Sequence, residues 1–90
     1  MLPTRRPDLL TRVIDGEVVI LDQAAGKVHQ LNATASCIWE RCDGANSVAD
    51  ITAYVADCFD ISVDAVSRDV ATTLIELEQL GLLQSGSVNQ

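Results

Sequence analysis

The sequence predicts an α+β domain in which a three-stranded antiparallel sheet is followed by three helices, in the order β-β-β-α-α-α. Three observations carry that prediction. Residues 9–31 form short β-branched runs cut at Asp15-Gly16 and again by a loop closing at Gly26. After Asn32 the apolar residues change to spacings of three and four, the period of a helix. Each helical run is preceded by a capping side chain: Asn32, Ser47 or Ser62. Ninety residues suit one domain, expected over 9–84, between a loose arm at 1–8 and a frayed tail at 85–90.

Leu9 to Ile14 and Glu17 to Leu21 are separated by two residues, Asp15-Gly16, the pair favoured in a type I′ turn. That loop sets Val13 opposite Val18 and Thr11 opposite Ile20. This uncharged face is expected to meet the core. Leu10, Ile14, Val19 and Leu21 on the other face leave enough apolar surface for a second contact. Lys27 to Leu31 gives a third strand, with His29 and Leu31 on one side and Val28 and Gln30 on the other. As the end of a meander it is an edge with unpaired backbone groups.

Asn32 caps a first helix whose stripe is Ala35, Ile38, Trp39 and Cys42, ended by Asp43-Gly44. Ser47 and Asp50 form a capping box for the second, which buries Val48, Ile51, Val55 and Phe59. Ser62 starts the third, with the stripe Val63, Val66, Val70, Leu74 and Leu77. Gly81 is placed as its left-handed C-cap, and Leu82 folds back on Leu77. Three helices behind a small sheet suggest a helix-turn-helix variant, with the second and third helices as the pair.

Composition narrows the function classes. The chain is 48% hydrophobic and 21% charged, an ordinary globular balance, with aromatics at 3% and an aliphatic core. A chain this short buries only about 60–65% of its unfolded surface, so a binding module is expected rather than an enzyme with a deep cleft. The net charge is −7. Residues 1–41 balance five basic against five acidic groups, whereas 42–90 hold only Arg68 against eight acids. That half repels nucleic acid and anionic lipid and attracts a basic ligand. On the third helix, Arg68 and Gln79 stand against Asp64, Asp69, Glu76 and Glu78, a poor recognition helix for DNA.

Cys37, Cys42 and Cys58 are an odd set, and no secretory or apolar spanning segment occurs. Reduced thiols in a cytoplasmic protein is the expectation. Cys37 and Cys42 lie five apart with one histidine in the chain, too few ligands for a zinc site, so three small buried thiols are expected. No cofactor-binding motif is present. His29 lacks an interpretable catalytic partner and is expected to pack beside Leu31.

The edge at Lys27–Leu31 suits capture of an extended peptide by strand addition. Besides its core stripe, the third helix sets Arg68, Ala71, Thr72 and Ile75 close together. Facing the edge, that patch would form one wall of a groove, with Val28 and Gln30 on the other. Ile75 could equally widen the core stripe. The pattern fits both.

Asp15-Gly16-Glu17, Gly26-Lys27-Val28 into Leu31-Asn32, Ile38-Trp39, Cys42-Asp43-Gly44, Ser47-Val48 with Ile51, and Asp69-Val70 through Leu77 to Gly81-Leu82-Leu83 resemble, in that order, the PqqD-like family. The resemblance covers roughly residues 5–84. It implies a winged helix-turn-helix-like domain that acts as a precursor-peptide recognition element. Such a domain is a non-enzymatic chaperone that binds the leader of a ribosomally made peptide and presents it to a modifying enzyme, often a radical S-adenosylmethionine protein. The leader would add a strand between the third strand, Lys27, Val28, His29, Gln30 and Leu31, and a helix wall of Arg68, Ala71, Thr72 and Ile75. Members serving pyrroloquinoline quinone synthesis tend to carry a Pro-Glu turn and an acidic residue before the first helix. Here Gln23-Ala24-Ala25-Gly26 and Asn32 stand there, which implies a broader member serving another peptide. The remaining expectation is a docking module or homodimer that uses the apolar outer face of the hairpin.

Overall fold

In the computed structural model, which describes residues 2–84, Asp15 and Gly16 both adopt positive φ, 53° and 78°. This is the type I′ conformation that an Asp-Gly pair allows. The turn joins β1 (Leu10–Ile14) to β2 (Glu17–Asp22) in the predicted register, with Val13 opposite Val18 and Thr11 opposite Ile20. A loop closed by the Ala25 amide on Asp22 Oδ1, with Gly26 at φ 66°, leads to β3 (Lys27–Gln30). The sheet order is β1-β2-β3, so both β1 and β3 are edges.

The helices are α1 (Ala33–Glu40), α2 (Val48–Phe59) and α3 (Val63–Gln79). Their starts are where the caps predict them. Asn32 Oδ1 accepts from the Ala35 amide, Ser47 and Asp50 exchange both bonds of a capping box, and Ser62 Oγ accepts from Ala65. Asp50 also sits in the positive first turn of α2. α3 ends in a Schellman motif. The Leu82 amide reaches Leu77 O, the Gly81 amide reaches Glu78 O, and Gly81 takes φ 76°. Leu77 and Leu82 are both buried there, as their spacing predicts.

One core lies between β2 and the helices, built on Ile20, Ile38, Ile51, Val55, Val70 and Leu74. α1 is the helix that packs on the sheet, and it packs on β2. The buried Ser36 hydroxyl locks that contact: it accepts from the Val18 amide at 2.8 Å and donates to Leu31 O at 3.2 Å.

Four expectations are corrected. Val18 and Ile20 are buried, but Thr11 and Val13 on the same face are not, and Val13 is 61% exposed. β1 overhangs the helices, leaving an open cleft of about 360 Å³ beneath it, lined by Arg5, Thr11, Val13, Val18, Trp39 and Glu40. Phe59 and Val63 are exposed because they flank the α2–α3 turn at Asp60, at the end of the helix pair. Of the three thiols only Cys42 is fully buried, while Cys58 is exposed. Burial pushes the Cys42 thiol up to about 12; Cys37 is pushed up to about 11, first by burial and then by its neighbour Cys58.

Finally, residues 2–8 do not run free. Pro3 is buried, Arg5 N donates to Cys42 O, Arg6 N donates to Leu82 O, and Gln84 N donates to Thr4 O. The Arg6 guanidinium also reaches Asp8, the buried Asp22 and Gly81 O. A loose arm is predicted by composition; partners distant in sequence, from Asp22 to Gln84, are why it is docked. The tail expected at 85–90 lies outside the described residues.

Candidate functional site

Alternation in an antiparallel ladder decides which backbone groups remain free at β3. Leu31 N donates to Val18 O at 2.9 Å, so Leu31 faces β2 with its hydrogen-bonding groups. Stepping back by two, His29 opposite Ile20 and Lys27 opposite Asp22 are likewise bonded inward. The N–H and C=O groups of Val28 and Gln30 therefore point to the open edge. This settles the register: the side chain of His29 shares a face with Ile20, toward the helices, and Gln30 shares one with Val19.

Side chains follow the opposite rule. Val28, 66% exposed, and Gln30 project onto the outer face of the sheet, where Gln30 Nε2 meets Glu17 Oε1 at 3.1 Å. They supply backbone to the edge, not the side-chain wall the sequence suggests. Leu31 is buried in the core. Lys27 is exposed, and His29 is half-buried with its Nε2 atom enclosed and without a hydrogen-bond partner among the described residues.

No Cα atom of β3 lies within 8 Å of one in α3. Just past the end of β3, the start of α1 and the flank of α3 enclose a cleft of about 310 Å³ lined by Asn32, Thr34, Asp69, Thr72, Thr73 and Glu76. Thr72 is the one residue of the predicted helix wall that lines it. Arg68, Ala71 and Ile75 are exposed and lie outside the lining; Ile75, 40% exposed, does not widen the core stripe. Asp69, Thr73 and Glu76 were missed. Their signal is the i, i+3, i+4, i+7 spacing from Asp69, which runs along one flank of the stripe Val66, Val70, Leu74 and Leu77.

The cleft is acidic. Asp69 and Glu76 make no ion pair among the described residues. No cation lines the cleft. No group of three or more potential metal ligands occurs among the described residues.

An edge-open three-stranded sheet, with α1 packed on β2 and the other two helices packed on α1 and on each other, defines a small α+β domain. The chain belongs to the PqqD family: the model of coenzyme PQQ synthesis protein D (PqqD) matches residues 17–83. Two solved structures share the fold. One is TbiB1 in complex with the TbiA(beta) leader peptide, at a TM-score of 0.80 and 24% identity, covering 91% of this chain and 95% of that one. The other is lasso peptide synthetase B1 complexed with the leader peptide, at 0.79 and 26%, covering 92% and 98%. No curated protein sequence matches the chain.

Proposed function

We infer that this protein is a leader-peptide recognition element: a non-enzymatic adaptor that binds the leader of a ribosomally made precursor peptide and presents it to a modifying enzyme. The observation that carries the reading is the open edge of β3, with the backbone groups of Val28 and Gln30 unpaired and a cleft just past the end of the strand. Family membership and the two leader-bound relatives support it. An added strand would gain affinity from main-chain pairing and selectivity from alternate side chains. Arg68, the one cation on α3, is assigned to an acidic residue of the peptide. Ala71, Thr72 and Ile75 extend the helix wall. A radical S-adenosylmethionine maturase is one enzyme class such an adaptor would serve, in the cytoplasm.

Affinity capture from the host's lysate, with mass spectrometry that retains small peptides, tests the reading. A short precursor peptide among the specific hits identifies the pathway; its absence from repeated captures counts against an adaptor. Gln30→Pro then tests the geometry. It removes an N–H that points to the edge, so the captured peptide should bind at least tenfold more weakly while the melting temperature stays near that of the parent. Unchanged affinity would place the peptide elsewhere.

A second reading rests on the outer sheet face, where Leu10 and Ile14 are more than half exposed beside Val19, Leu21 and Val28. If that face makes a homodimer or docks a partner, Ile14→Lys should reduce the sedimenting mass to that of a monomer and leave peptide binding intact. A monomeric parent protein removes the homodimer.

A further inference from the structure

We propose that the captured peptide carries a basic side chain, Lys or Arg, at the position beside Leu31, and that this side chain enters the cleft between the α1 N-terminus and α3. The inference rests on the peptide-binding reading above and specifies the chemistry of its ligand. Neighbours on adjacent strands share a face of the sheet, whichever direction the added strand runs. His29 and Leu31 project toward the helices, as do their partners Ile20 and Val18. The two peptide residues beside them must therefore also point inward, while their neighbours point outward next to Val28 and Gln30. Asn32 follows Leu31 directly and lines the cleft, so the inward residue beside Leu31 is the one delivered to it.

What it meets there is acceptor-rich. Asp69 and Glu76 stand on the α3 side, with the hydroxyls of Thr34, Thr72 and Thr73 between the two walls. The N-terminus of α1 contributes the opposite sign, about half a positive charge, against two full carboxylate charges. The carboxylates win. They are also free to act, since neither is engaged by a cation among the described residues. A volume of about 310 Å³ accommodates a long cationic side chain.

Selection of random twelve-residue peptides by display against the whole chain tests this without knowledge of the natural ligand. Enriched peptides are expected to share one Lys or Arg position within an alternating pattern. Replacing that residue by norleucine in a synthetic copy should weaken binding about two- to fivefold at low salt, and less at high salt. The double variant Asp69→Asn, Glu76→Gln should select peptides without the basic preference. Both changes are isosteric and exposed; should the pair perturb the melt, Glu76→Gln alone is expected to reduce the preference. Enriched peptides lacking a basic position, or a preference that survives the double variant, would overturn the inference and leave the peptide site standing. Enrichment of no peptide would overturn the peptide site as well.

Discussion

Ser36 shows how one hydroxyl joins two layers of this fold. Its Oγ takes the Val18 amide and donates to the Leu31 carbonyl, so α1 is stitched into the sheet where the β2–β3 ladder would otherwise continue. Ser36→Ala strands a buried N–H, and the cost is expected to be about 1–3 kcal/mol in denaturant unfolding. A change below about 0.5 kcal/mol would mean that Val18 finds another acceptor. Nothing about Ser36 in sequence distinguishes it from a helix-surface serine: it sits between Ala35 and Cys37, and its partners are supplied by strands 5 and 18 residues away. His29 is the reverse case. Its packing side was legible from alternation, but the enclosed and unsatisfied Nε2 required the full arrangement of β3 against the helices.

At the scale of elements, local chemistry told most. A two-residue Asp-Gly loop permits one pairing, so the β1–β2 register could be read residue by residue. Caps and the Gly81 stop likewise marked the helices. Gly16→Ala tests the turn directly. A Cβ there meets no atom within 4 Å, so its cost comes from φ 78° alone, and thermal unfolding should report a loss of about 1 kcal/mol. What the elements could not reveal was their mutual cover. Periodicity gives α3 an inward stripe and an outward face, but not which flank turns toward β3. That is why Arg68 and Ile75 were legible as surface residues while Asp69 and Glu76 at the cleft were not. The same ignorance sent Thr11 and Val13 to a core that ends beneath β2.

For the molecule as a whole, the clasp at Arg6 holds the start of the described chain against its end. The guanidinium joins Asp8, the buried Asp22 and the carbonyl that follows α3. Arg6→Met should lower the melting temperature clearly more than Arg12→Met, whose side chain projects from an exposed strand. Equal effects would make the clasp ornamental. Acid should loosen the same seam. The Arg6 hydrogen bond holds the Asp8 carboxyl below the usual carboxylate range, and the Ala45 amide does the same for Asp43 beside Thr4. Groups depressed in this way contribute stability at neutral pH that disappears as pH falls through their lowered values.

The brevity of β3 carries over into kinetics. With only Val28 and Gln30 offering free backbone, pairing supplies about four main-chain hydrogen bonds, or roughly 2–6 kcal/mol before the cost of ordering the guest. That falls short of micromolar affinity by itself, since 1 μM corresponds to about 8.2 kcal/mol. The remainder must come from side chains, and differences between related complexes lie mainly in how fast they dissociate. Residence time is thereby written in a few guest residues, and a precursor can be held long enough to be tailored and then let go.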